Sequence, residues 1–207
     1  MKRRKKINKV DIHENITKSK SLIKLLIGVL VILLIGVGVI IFQHVNNLYV
    51  DVNKAEEDKI VEAINTYVTK RCDDEKRSPY HKCFTANKVY LVERIIDNDG
   101  DLAKEYKGYD NFYYAYSWIV DGTYYKENNE IKEDSGSSIP NKVLLGKKTD
   151  KYTVLKTQIP GDGTQYPEDM KKLFPARIRN KMNNAPVDGT AKKLIEETNK
   201  KAEEYFK

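Results

Sequence analysis

The stretch Phe112–Ile119 reads FYYAYSWI, and its alternation decides the fold. At period two, Phe112, Tyr114, Tyr116 and Trp118 fall on one face of a strand. Tyr113, Ala115, Ser117 and Ile119 fall on the other. A continuous aromatic face serves one of two ends. It lines a groove and stacks on a sugar or a peptide, or it is buried under helices with tyrosine hydroxyls at its rim. Phe112, Tyr114, Tyr116 and Trp118 are therefore the candidate ligand-binding residues, with core packing as the competing use.

The strand pattern repeats outward from this centre. Lys88–Ile96 (KVYLVERII) is rich in β-branched residues and stops at the turn residues Asp97–Asp101. Asp97, Asp99 and Asp101 have the look of a calcium loop, but Gly100 falls before the third acid rather than after it and no helix leads in, which favours a plain turn. Asp121-Gly122 is either a tight hairpin or a bulge in one long strand, and Glu127-Asn128-Asn129 carries the real reversal. A third strand runs through Ile131–Lys147, with Pro140 confined to an edge or a bulge. Thr149-Asp150 turns the chain into Tyr152–Ile159. Four strands joined by short turns predict a curved antiparallel meander.

Helical patterns flank the strands. Asn53 and Glu56 have capping-box spacing, and Ile60, Val61, Ile64, Tyr67 and Val68 recur at helical spacing beyond them. This predicts an amphipathic helix of roughly 18 residues laid on the sheet. After the strands, Ile159–Thr164 (IPGDGT) is a loop, and no Lys follows it in phosphate-loop register. Short helices are predicted at Tyr166–Phe174 and Ala176–Met182. A last one is predicted at Thr190–Phe206, with Leu194, Ile195, Ala202, Tyr205 and Phe206 on one side.

Upstream, Leu25–Phe42 carries no charge, amide or hydroxyl. As a helix it spans about 27 Å, the thickness of a bilayer core, and Leu22 and Ile23 extend it. No small-x-small cleavage site follows, so the segment reads as an uncleaved signal anchor. Before it, Lys2, Arg3, Arg4, Lys5, Lys6, Lys9, Lys18, Lys20 and Lys24 outweigh Asp11 and Glu14 by the same +7 that the whole chain carries. The remainder is therefore neutral, which excludes a nucleic-acid footprint at the level of net charge. The basic flank places the N-terminus in the cytoplasm and the C-terminal domain outside. The expected layout is a cytoplasmic tail at 1–21, a transmembrane anchor at 22–42, a juxtamembrane linker at 43–52 and an extracytoplasmic α+β domain at 53–207.

In that compartment Cys72 and Cys83 are expected to form a disulfide. The alternative is a metal site built from Cys72, Asp73, Asp74, His81 and Cys83, whose cysteine spacing is unlike the usual zinc pairings. The histidines His13, His44 and His81 form no HExxH, and no nucleophile motif is present. Ser21 and Lys24 match SxxK by spacing alone, with no KTG partner. Neither an enzyme, nor a cofactor, nor a metal is expected.

SGSSIP at Ser135–Pro140 and IPGDGTQYPEDMKKLFP at Ile159–Pro175 carry a resemblance. Together they resemble extracytoplasmic domains of Gram-positive bacteria. Such modules occur as membrane-anchored proteins and as tails on antirepressor-type zinc peptidases, and the peptidase itself is absent here. The helix-then-meander order is similar to the NTF2-like or cystatin-like roll. The fold expected is α+β: a single N-terminal transmembrane helix, then a helix packed on a curved antiparallel four-stranded sheet, with C-terminal helices. The function expected is a membrane-anchored, non-catalytic binding or accessory module. Its partner would be a peptide, a cell-wall fragment or another envelope protein. The alternative is a structural subunit of an envelope assembly such as a secretion or conjugation complex.

Overall fold

The computed structural model describes residues 27, 29–38, 52–75, 78–96 and 100–207. The chain divides into two compact units, Met1–Asn47 and Leu48–Lys207. In the first, residues 29–38 are helical (α1), and the side chains of Val29, Leu30, Val31, Ile32, Leu33, Leu34, Ile35 and Val37 are all exposed. Among the described residues no helix is long and apolar enough to cross a membrane. Both ends of the expected span 22–42, the tail 1–21 and nearly all of the linker 43–52 lie outside the described residues.

The second unit is α+β. Helix α2 (Lys54–Glu75) precedes β1 (Lys82–Ile95), the short α3 (Asp101–Glu105), β2 (Asn111–Glu127), β3 (Glu130–Lys148) and β4 (Lys151–Gln158). A 3₁₀ turn (Gly163–Gln165) and helices α4 (Tyr166–Leu173), α5 (Ala176–Asn183) and α6 (Thr190–Phe206) complete it. The sheet is antiparallel throughout, in the order β1-β2-β3-β4. Each strand pairs with its neighbours in the chain; the β2–β3 and β3–β4 links are two-residue turns, whereas β1 and β2 are joined by the longer segment 96–110, which contains α3, rather than by the short turn expected.

The choice at Asp121-Gly122 resolves to one long strand. Asp121 and Gly122 pair with Thr85 and Phe84 on one side and with Ser137 and Gly136 on the other. The reversal falls at Asn128 and Asn129, both at positive φ (50° and 67°), which asparagine tolerates. Register shifts lie between Val89 and Leu91, between Thr123 and Tyr124, and between Leu144 and Leu145. The extra residue at each bends its strand and curves the sheet.

Both faces are covered. On one, Ile60, Ile64 and Val68 of α2 pack against Val92, Tyr113, Ala115, Ile119, Val143, Leu145, Tyr152 and Val154. On the other, Trp118 and Tyr116 pack beneath α4, α5 and α6. Asn53 caps α2, accepting a 3.0 Å bond from Glu56 N–H through Oδ1. Cys72 and Cys83 form a disulfide, with Cα atoms 5.9 Å apart, that pins the end of α2 to β1.

The structure corrects the sequence reading of α6. Its buried stripe is Ala191, Leu194, Thr198 and Ala202, whereas Ile195 and Tyr205 are exposed. Positions spaced three or four apart share one face, and Ile195, adjacent to Leu194, is turned about 100° from it. Tyr205 packs edge-on against Phe84 and Phe206 instead.

Candidate functional site

The structure brings Phe112, Tyr114, Tyr116 and Trp118 together on one face; the C-terminal helices pack against Tyr116 and Trp118, and Phe112 packs against Tyr109. Phe112, Tyr116 and Trp118 are each 3–4% exposed. Tyr116 is enclosed by Met170, Phe174, Ile178 and Met182, and its hydroxyl donates to Glu93 Oε2 at 2.7 Å. Trp118 is enclosed by Ala86, Val120, Ala185, Ala191 and Leu194, and its indole N–H donates to Ser138 Oγ at 3.0 Å. Tyr114 is half-buried, with Lys142 Nζ 3.8 Å from its ring centroid. Burial lowers the Lys142 pKa below the ordinary lysine range. The apolar surface and the indole and Tyr116 polar atoms are engaged inside the domain, so packing accounts for these residues.

Among the described residues, the other face is covered by one helix, α2. Neighbouring strands lie about 4.8 Å apart, so the outer strands of this sheet are separated by about 14 Å. A single helix, about 10–12 Å across with its side chains, cannot cover that width. The disulfide holds the C-terminal end of α2 at β1, and the ion pair Lys59–Asp150 holds the other end near the β3–β4 turn. Between them the flank of α2 stands beside β4 and leaves a groove of about 560 Å³. Ala63, Tyr67, Tyr152 and Val154 supply its apolar surface, and Lys59, Glu62, Thr66, Lys70, Asp150, Lys151 and Thr153 its polar lining.

Beneath α2 the polar groups are paired. Asn87 donates through Nδ2 to Val61 O (3.0 Å) and Asn65 Oδ1 (2.8 Å), and its Oδ1 accepts from Ser117 Oγ (3.0 Å). Thr69 donates to Thr85 between the hydroxyl oxygens at 3.0 Å. At the β3–β4 end of the groove, Glu56 bonds to Lys147 and accepts a 2.6 Å bond from the Tyr152 hydroxyl. The Lys147 contact holds the Glu56 carboxyl below its usual range. Burial, followed by the contact with Glu56, pushes the Tyr152 hydroxyl above its ordinary value. Lys147 is raised, chiefly by its hydrogen bond to Glu56.

Two further hollows adjoin this face. One of about 650 Å³ lies around the β3–β4 turn with Lys107, Tyr109, Lys148 and Lys151. Tyr109 reaches in because Gly146 has no side chain: a Cβ there would meet its ring at 2.6 Å. A smaller one, about 240 Å³, is lined by Arg71, Glu75, Asp121, Asp134 and Ser135. Nearby, His81 stacks on Tyr125 at 4.9 Å, with Nδ1 3.4 Å from Asp134 Oδ2. The two sulfurs of the alternative metal set are bonded to each other. Among the described residues no group of three or more His, Cys, Asp or Glu could hold a metal ion.

Sequence reasoning missed the groove. Ala63, Thr66 and Lys70 lie at the side of the apolar stripe, and their residue types carry no binding signal of their own. The usable signal was joint: a disulfide that fixes one end of α2 at the first strand of a meander leaves the last strand under-covered. In comparisons with known proteins, no family model, curated protein or solved structure matches this chain.

Proposed function

We propose that the chain is a membrane-anchored extracytoplasmic binding module, held by residues 22–42, with 1–21 in the cytoplasm and 53–207 outside. It works by binding rather than by catalysis, and its partner is a peptide, a cell-wall fragment or another envelope protein. The observation that carries the reading is the groove between α2 and β4, where an apolar floor of Ala63, Tyr67 and Val154 stands open within a polar rim. The anchor is supported by the exposed apolar side chains all round α1, since a helix apolar on every side needs an apolar environment. The outside location is supported by the disulfide and by the confinement of the +7 charge to the tail. The single helix on a curved four-stranded meander supports the NTF2-like or cystatin-like assignment.

A second reading, a structural subunit of an envelope assembly, is favoured by the three C-terminal helices, which add a second exposed surface. Cross-linking in intact cells separates the two. With Thr66→Trp filling the groove from an exposed position, a binding module loses its cross-linked partner while its melting temperature is unchanged. An assembly subunit keeps a stoichiometric partner in the same variant, and that result would overturn the binding reading.

A further inference from the structure

Resting on that reading, we infer that the groove takes an extended acidic peptide segment, added to β4 as a fifth strand. Among the described residues β4 (Lys151–Gln158) ends the sheet and pairs only with β3. An antiparallel strand bonded on one side turns every second residue's N–H and C=O outward. The flank of α2 runs beside that edge, so an incoming strand would meet backbone partners from β4 and apolar contacts from Tyr67 and Ala63 together. This is the geometry of recognition by strand addition, in which main-chain bonds supply affinity and alternate side chains supply specificity. Eight residues of β4 offer an edge about 26 Å long.

Charge selects the occupant. Lys59 is engaged by Asp150. Lys70 and Lys151 line the groove against Glu62, and Lys156 is exposed further along β4. The surroundings of the edge are therefore net positive and match a segment whose outward side chains are acidic. A second copy of the chain is disfavoured, because pairing two β4 edges would gather two sets of these lysines on one ribbon.

The test uses the full chain in lipid nanodiscs with two capped eight-residue peptides, one alternating valine with glutamate and one alternating valine with lysine. Amide hydrogen exchange is followed by mass spectrometry. The acidic peptide is expected to slow exchange in 151–158 about tenfold at ten times its Kd, and the lysine peptide to leave it unchanged. The double variant Lys70→Glu, Lys151→Glu, at two exposed positions, should reverse the preference. The inference is overturned if neither peptide protects 151–158, or if both do equally, as when the lysines merely guard the edge. It is also overturned if protection appears without peptide and grows with protein concentration, which would identify a second copy. Loss of the cross-linked partner in Thr66→Trp together with no protection of 151–158 would sink the strand-addition inference and leave the binding module standing.

Discussion

Beneath α2 the sheet presents Val92, Ala115, Ile119, Val143 and Leu145, mostly aliphatic, with the Asn65–Asn87–Ser117 bonds between. Beneath α4–α6 it presents Tyr116 and Trp118, enclosed by side chains from three helices. Both sets come from the same strands, offset by one residue. The difference lies in the cover. Three short helices can tile an aromatic surface from several directions. One helix of 22 residues, about 33 Å long, gives a single stripe and leaves its flank beside β4 open. Rings that look like a binding surface in the sequence are closed over, and the opening falls where the sequence is plain.

The sharpest way to break this comparison is to cut into the closed face. Trp118→Ala removes a ring 4% exposed and should cost about 3–5 kcal/mol in urea unfolding. If the variant is as stable as the parent, the aromatic face is not core and the contrast fails. Next comes the clip on the open face. Replacing Cys72 and Cys83 by serine frees an 11-residue separation and should cost about 3 kcal/mol. Unlike the first change, it should also loosen the end of α2, seen as faster amide exchange in 66–75.

A smaller effect is expected at Glu56. Its folded pKa lies below the ordinary value, so the native state binds that proton less readily than the unfolded chain. The resulting stabilisation is complete above about pH 5 and is lost as pH falls through the folded value. Lys147, whose folded pKa is raised, contributes below its ordinary range and loses that contribution at strongly alkaline pH. Glu56→Gln should cost about 1–2 kcal/mol at pH 7 and flatten the acid limb of the stability profile. An unchanged acid limb would show that the pair is not formed. Least affected should be Lys59→Ala, which breaks an exposed pair with Asp150 and should shift stability by no more than about 0.5 kcal/mol.

Much of the architecture was legible in short-range pattern. The alternation through Phe112–Ile119, the reversal at Asn128-Asn129, the turn at Thr149-Asp150 and the Asn53 cap all depend on neighbours a few residues apart. What was not legible depends on distant partners. β1 begins at Lys82 rather than Lys88 because β2 is 17 residues long and its far half needs a partner. The residues that supply it include Thr85 and Asn87, whose polar side chains are absorbed by α2. Thr198 sits in the buried stripe of α6 because its hydroxyl reaches Tyr124 OH at 3.1 Å and Ile195 O at 2.8 Å. The groove was hidden for the same reason: α2 is tied at one end to Cys83 and at the other, through Glu56, to Lys147 and Tyr152, all far along the chain.

Amide hydrogen exchange of the full chain in nanodiscs tests the central contrast most directly. If the aromatic face is closed and the groove is open, amides in 112–120 and 170–182 exchange only with global unfolding, whereas alternate amides of 151–158 exchange much earlier. If instead α4–α6 exchange together, well before the sheet, those helices lift as a unit. Tyr116 and Trp118 would then be the accessible surface, and the assignment of binding to the α2–β4 groove would be wrong.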